Sequence, residues 1–313
     1  MKLAFFDDYK LGVIKGDRIV DVSEAVRGVV HTSPQDLIRQ VIGDFPRHRR
    51  LIEAAASKSQ GVVVSGVRLR APLPEPPRIV AMAVNYMENG TREKAAEINA
   101  FHKSASCVIG NGDTVILPDA DATIFEQEAE LGIVIGKKAS KVERSKAHEY
   151  IFGYTNFFDI SARGFRPEGS GSFFWGKTWD TFGPMGPAIT TSDEIKNPMK
   201  LQVKSWINGK LYQDYSTSDM ANDIPRIVEW VTWMTTLQPG DIIACGTNHR
   251  GLAAIQNGDV VEMEAEGLGR LMVRVNDELG REWDRKPRLE KSAEEIKKIN
   301  GPARLERLGK RSR

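Results

Sequence analysis

Between Phe125 and Gly136 the chain reads Phe-Glu-Gln-Glu-Ala-Glu-Leu-Gly-Ile-Val-Ile-Gly, which sets Glu126, Glu128 and Glu130 at alternate positions. In an extended strand side chains alternate with period two, so all three carboxylates share one face. Like charges on one face repel unless solvent or a cation lies between them. The apolar run that follows anchors the segment in a core, and a Glu-x-Glu pair held in that way supplies two oxygen donors to a hard cation such as Mg²⁺, Mn²⁺ or Ca²⁺. On its own the pattern also fits a solvated acidic strand. A third acid, Asp159, lies in Gly-Tyr-Thr-Asn-Phe-Phe-Asp-Ile-Ser-Ala-Arg-Gly (153–164) among aromatic and apolar neighbours. Buried there unpaired it would be costly. Either Arg163 is its ion-pair partner, or Asp159 is a metal ligand and Arg163 holds an anion or a neighbouring acid.

The elements that must position these groups are β-rich. Short β-type runs are expected near Arg78–Val84, Gly132–Gly136, Leu201–Ile207, Ile242–Ala244, Val260–Ala265 and Arg270–Val275, with a helix over Pro225–Leu237. Strands without regularly alternating helices predict a β-rich α+β fold and argue against a doubly wound sheet. Residues 3–23 read as a meander around Lys15-Gly16-Asp17, and 34–58 as helical with Ser33 as cap. The rigid stretch Ala71–Pro77 marks a boundary, giving a small N-terminal α+β domain (1–72), a catalytic domain (73–277) and a basic C-terminal tail (278–313). From Arg281 onward twelve Lys/Arg stand against six Asp/Glu, with a helical stretch at Ser292–Asn300. A solvated tail is expected there, an arm on a partner subunit being the alternative.

The 313 residues are 41% hydrophobic and 27% charged, and 44 Lys/Arg against 42 Asp/Glu leave a net charge of +2. This balance gives no reason to expect a nucleic-acid partner. No apolar run approaches the roughly 20 residues needed to span a membrane, and the first residues lack a signal-peptide core. Cys107 and Cys245 make neither a disulfide framework nor a thiolate metal site. A reduced, cytoplasmic protein is the expectation. Residues 171–178, Gly-Ser-Phe-Phe-Trp-Gly-Lys-Thr, fit the P-loop pattern, but no apolar strand precedes them, and Gly183, Pro184 and Pro187 forbid a long helix after them.

Taken together, Glu128-x-Glu130-Leu131, Asp159-x-Ser161-Ala162-Arg163, Gly176–Pro187, Asn208-Gly209 with Gln213, Ser216–Met220, Leu237–Ile243, Gly246-Thr247 with Gly251, and Gly258–Val261 closely resemble, in order, the fumarylacetoacetate hydrolase superfamily. The likeness spans about residues 78–275. It implies a mixed β-sandwich or roll and a homodimer. It also implies one Mg²⁺ or Mn²⁺ held by Glu128, Glu130 and Asp159, whose open positions take oxygens of a small oxo-acid substrate. By the same likeness Lys177 and Lys103 are catalytic cations, Thr181 sits beside the metal's waters, and Thr247 donates to the substrate. Gln213, Arg163 and Tyr86 complete the substrate pocket. The implied reaction is hydrolysis of a C–C bond in a diketo acid of aromatic-compound catabolism. Decarboxylase, tautomerase, hydratase or lactone-opening chemistry, or a silent ligand-binding member, are the alternatives.

One part of the pattern is broken. Members that hydrolyse C–C bonds carry a His paired with a Glu after an Asn-Tyr, whereas here residues 84–93 read Val-Asn-Tyr-Met-Glu-Asn-Gly-Thr-Arg-Glu. Asn89 stands in the His position and Arg92 in that of the Glu, and neither takes a proton from water at neutral pH. Glu88 and Glu93 are each displaced by one residue. Of the five histidines, His31 and His48 are expected in solvent and His148 in a structural role, and His102 is expected to approach the site beside Lys103. His249, in the loop that carries Thr247, is the candidate for proton transfer; a loop cap or a wall of the acyl pocket is the alternative.

Overall fold

In the computed structural model, which describes residues 1–120, 122–164 and 173–300, the strand that carries the acids lies in the interior of a large mixed sheet. Ala129–Ile135 is buried at every position, which its run of Leu, Ile and Val permits, since a strand covered on both faces needs no polar alternation. It pairs antiparallel with Ile151–Phe158 on one side and with Ile242–Ala244 on the other. The latter runs parallel to Ile79–Ala83, which pairs in turn with Asn99–Lys103. Beyond Ile151–Phe158 come Gly183–Thr191 and then the N-terminal meander of Lys2–Phe6, Lys10–Lys15 and Arg18–Asp21.

The strands before and after Ala71–Pro77 therefore belong to one continuous sheet, because Lys2 registers with Thr190 and Leu3 with Ile189. Residues 34–58 form two helices, Pro34–Gly43 and Phe45–Ser57, broken at Asp44. Pro46 tolerates only the first turn of the second helix. Ser33 caps the first, its Oγ accepting the Asp36 N–H at 3.1 Å. His48, Ile52 and Ala56, spaced by four, form the buried stripe of the second helix, so His48 is a core residue and not the solvated one expected.

A five-stranded sheet packs against the first, with the order Lys210–Ser216, Gln202–Ile207, Val260–Ala265, Leu271–Asn276, Thr114–Ile116. Gln202–Ile207 and Val260–Ala265 alternate buried and half-buried positions, as one-sided strands should. Asn156 ties the sheets together: its amide donates to the Gly186 and Gly269 carbonyls at 3.0 and 2.8 Å and accepts the Ala265 N–H at 2.7 Å. The architecture is the β-rich α+β sandwich expected, and the helix near Pro225 spans Ile224–Met234.

The segment after Asp277 departs from the solvated tail. Its described part, 278–300, is a strap folded back over the domain. Arg281 pairs with Asp277 and donates to the Pro118 and Ala120 carbonyls at 2.9 and 2.6 Å. Trp283 packs edge-on against Phe125 at 5.5 Å, and Arg285 pairs with Asp259 at 2.6 Å. The helix Ala293–Asn300 closes a small apolar cluster in which Ile299 meets Ile124 and Ala254. Positive charge in the sequence concealed this strap, because several of its arginines bury their stems while their heads pair with acids and carbonyls. Residues 301–313 lie outside the described residues.

Candidate metal centre and active site

Glu130 sits inside the strand Ala129–Ile135, Glu128 just before it, and Asp159 just after the neighbouring strand Ile151–Phe158. The antiparallel register Ala129↔Phe158 brings the strand ends together, and the Asp159 N–H continues the ladder onto the Glu128 carbonyl at 2.9 Å. All three carboxylates are buried, and each offers an oxygen within 4.8 Å of the others.

Two lysines enter this cluster. Lys177, from the single helical turn Phe174–Lys177, reaches Glu128 Oε2 at 2.7 Å and Asp159 Oδ2 at 2.6 Å, with its ammonium 5.5 Å from the Phe101 ring centre. Lys103, at the end of Asn99–Lys103, donates to Asp159 Oδ1 at 2.5 Å and to the Lys177 carbonyl. Its side chain is fully covered, so it holds Asp159 and Lys177 in place from behind. His102, one position earlier on that strand, points to the opposite face and is exposed, away from the site where it was expected. The Gly171–Thr178 pattern lies partly outside the described residues, and its lysine faces carboxylates.

Burial pushes the Glu128 carboxyl up, but Lys177 and Arg163 outweigh it and hold it well below the usual range. Glu130 is different. Burial, with Asp159 and Glu128 as like-charged neighbours, drives its carboxyl well above the usual range. It accepts one backbone bond, from the Gly246 N–H at 2.8 Å, and among the described residues it has no ion-pair partner. A buried carboxylate left in this state beside two others is what a hard divalent cation would satisfy, and three oxygen donors suit Mg²⁺ or Mn²⁺.

Glu126 answers the repulsion in another way. It ends the short strand Ile124–Glu126, which pairs with Ser161–Arg163, and it turns to arginines. Arg163 bridges Glu126 (2.7 Å) and Glu128, and Arg288 of the strap joins Glu126 at 2.9 Å. Arg163 is therefore the partner of glutamates and not of Asp159. Glu126 was legible as an acid on the right face, but Arg288 was not, because 162 residues separate the two.

Two loops meet beside the site and bring His249 to Glu88. His249 Nδ1 lies 2.5 Å from Glu88 Oε1, and the His249 N–H donates to Glu88 Oε2 at 2.7 Å. Glu88 is buried, and three non-glycine residues of its segment, Val84, Glu88 and Asn89, have φ of 54°, 56° and 55°. Such backbone is disfavoured, most of all for a β-branched residue, and persists only where surroundings enforce it. Here Asn85 is clamped by bonds to the Cys245 and Asn222 carbonyls, and the Asn89 N–H bonds Asp219 Oδ2 at 3.0 Å. The opposing loop needs Gly251, at φ 75°, because a Cβ there would stand 1.7 Å from the Tyr212 carbonyl oxygen.

The other expected residues divide. Gln213 is buried and supports the loop, donating to Thr247 Oγ1 and to the Asn248 carbonyl, both at 2.8 Å. Thr247 is thereby fixed at the loop's inner edge. Tyr86 is not on the pocket wall: it is fully buried, edge-on to Tyr215 at 5.0 Å. Thr181 is engaged elsewhere, its Oγ1 accepting the Ile116 N–H at 2.8 Å. A cavity of about 540 Å³ opens over the site, walled by Glu88, His249, Lys177, Arg163, Arg92 and Arg288 among others.

Comparison with known proteins agrees with this geometry. Residues 78–276 match the family model for the C-terminal domain of fumarylacetoacetate (FAA) hydrolase, so the strap lies beyond the matched part. The maleylpyruvate hydrolase of Aquipseudomonas alcaligenes is 32% identical over 291 residues, covering 88% of this chain and 99% of that protein. The oxaloacetate tautomerase YisK of Bacillus subtilis is 32% identical over 282 residues, covering 83% and 93%. The crystal structure of a maleylpyruvate hydrolase from Sphingobium sp. SYK-6, in complex with manganese(II) ion and pyruvate, is similar with a TM-score of 0.79 at 35% identity, covering 88% and 99%. The chain belongs to the fumarylacetoacetate hydrolase family of metal-dependent enzymes.

Proposed function

We propose that this enzyme hydrolyses a C–C bond of a small diketo acid, using His249 and Glu88 as the proton-transfer pair. The observation that carries this reading is the contact between His249 Nδ1 and Glu88 at the wall of the cavity that Lys177 also lines. Glu128, Glu130 and Asp159 would hold the divalent ion, which when bound supplies Lewis acidity toward the oxo oxygen of the substrate. A carboxylate on Nδ1–H leaves Nε2 of His249 to take a proton from water. The water oxygen adds to the acyl carbonyl carbon, the C–C bond breaks, and the proton held by His249 passes to the carbon released. Lys177 stands where it neutralises negative charge on the substrate, and Lys103 keeps Lys177 and Asp159 aligned. Gln213 and Tyr215 hold the Thr247 loop against the strand that carries Glu130.

The likeness to maleylpyruvate hydrolases supports hydrolysis. The likeness to an oxaloacetate tautomerase favours a second reading, in which the same groups move a proton between carbon and oxygen without adding water. A panel of acylpyruvates and oxaloacetate, assayed with and without Mn²⁺, separates them. Metal-dependent release of pyruvate from an acylpyruvate is expected; enol–keto conversion of oxaloacetate with no acylpyruvate cleaved would assign the tautomerase reading.

A further inference from the structure

We infer that the C-terminal strap is part of the substrate pocket, and that Arg288 on it receives a second carboxylate, so that the enzyme selects oxo diacids over oxo monoacids. The inference rests on the oxo-acid site proposed above and adds a residue and a selectivity to it.

Charge balance leads to it. Consider the charged groups that line the cavity together with those ion-paired to them and the metal triad. Glu88 and Arg92 lie 3.8 Å apart and their formal charges cancel. Glu128, Glu130 and Asp159 with Lys103 and Lys177 leave one negative charge. Glu126 is shared between Arg163 and Arg288, which leaves one positive charge. Among the described residues the set is therefore doubly positive once a divalent ion is bound and its three acids are ionised. A monoanionic oxo acid leaves one charge uncompensated in the cavity; a dianion leaves none.

Position decides which arginine meets the distal carboxylate. Arg163 already serves both Glu126 and Glu128, and Arg92 lies against Glu88, which His249 also contacts. Arg288 has half of Glu126 and a neutral partner, Asn300 Oδ1, at 2.8 Å. Its neighbours Leu289 and Asn300 line the same cavity, and its backbone N–H is fixed to the Leu252 carbonyl at 2.7 Å. The guanidinium is thus held at the wall by a rigid strap, and a planar fork of donors suits a carboxylate.

Binding without turnover tests this. Calorimetry on the Mn²⁺-loaded enzyme compares α-ketoglutarate with α-ketovalerate, which carries a methyl in place of the distal carboxylate. The wild type is expected to bind the diacid at least about tenfold more tightly, the usual order for a charge-assisted hydrogen bond. Arg288→Gln should remove that preference by weakening the diacid alone, and Arg288→Lys should keep part of it. Equal affinities in the wild type, or a Gln variant that weakens both ligands alike, would overturn the inference. Hydrogen exchange on the wild type is the second measurement and needs no variant to fold: the diacid, but not the monoacid, should protect residues 285–290. Protection by neither ligand would also overturn it. Because both readouts are equilibrium binding, absence of hydrolysis would leave this inference standing, and its failure would leave hydrolysis standing.

Discussion

Replacing His249 by Gln isolates the chemistry from the architecture. Gln keeps a polar side chain of similar reach and the backbone N–H that donates to Glu88 Oε2 at 2.7 Å, so the loop keeps one of its two ties. It cannot relay a proton. The imidazole is about one-fifth exposed and Glu88 almost fully covered, a geometry in which the carboxylate fixes the ring and its tautomer. Positioned acid–base groups contribute roughly 10²–10⁴-fold, so kcat should fall by at least about a hundredfold, equivalent to about 2.7 kcal/mol of barrier. Glu88→Gln should give a smaller loss, roughly tenfold to a hundredfold, since its amide still accepts the backbone bond while the ring loses its preferred tautomer. The assay is steady-state cleavage of an acylpyruvate with Mn²⁺ across a pH series, with Mn²⁺ affinity measured in parallel by calorimetry. Metal affinity should not change, and the acidic limb of the rate profile should disappear in the His249 variant. A loss under about tenfold with that limb intact would refute the argument and make His249 a wall of the pocket.

Alanine at Glu128, Glu130 or Asp159 should abolish both Mn²⁺ binding and activity, because each removes one of three buried charged donors; calorimetry with unchanged affinity in all three variants would contradict this. Metal binding should release a proton. Glu130 is held protonated above the usual carboxylate range in the metal-free protein, so affinity should rise with pH until Glu130 ionises and then level off, as titrations in buffers of different ionisation heat would show. Truncation after Asp277 should destabilise the protein, since it strips Trp283 from Phe125 and leaves buried Glu126 with one arginine; Trp283→Ala alone should cost on the order of 2 kcal/mol in urea unfolding. A truncated chain with wild-type stability would restore the view of the segment as a solvated tail.

Much of this site could be read from residue order, and the exceptions share a cause. Strand periodicity and an acid among apolar neighbours marked Glu128, Glu130 and Asp159 as candidates, the family resemblance grouped them into one ligand set without Glu126, and Ile242–Ala244 was placed at its observed bounds because its apolar run is unambiguous. Lys177 and Gln213 followed from the family motifs, while their partners needed coordinates. The Glu88–His249 contact joins positions 161 apart, and Glu126–Arg288 positions 162 apart. No periodicity or turn chemistry reports on pairs so distant. Tyr86 and Thr181 were misplaced for the complementary reason: a motif fixes their presence but not their rotation, and one faces Tyr215 while the other accepts a backbone bond from Ile116. His48 was read as solvated from its place in the N-terminal region, whereas its spacing from Ile52 and Ala56 puts it on the buried stripe of its helix.

The registry of Lys2 with Thr190 has a consequence for biogenesis. As the ribosome feeds out the chain, Lys2–Phe6 can pair at once with Lys10–Lys15 and, at Phe5 and Phe6, soon after with Leu69–Arg70, but Lys2 and Leu3 have no partner on that second edge until Gly183–Thr191 has been made. For that interval the start of the strand, at Lys2 and Leu3, presents open backbone donors and acceptors, the condition under which strands pair with the wrong chain. At synthesis rates of about 5–20 residues per second the wait lasts on the order of ten seconds or more. Soluble yield should therefore respond to translation speed, growth temperature and chaperone supply more than the stability of the finished sheet would suggest.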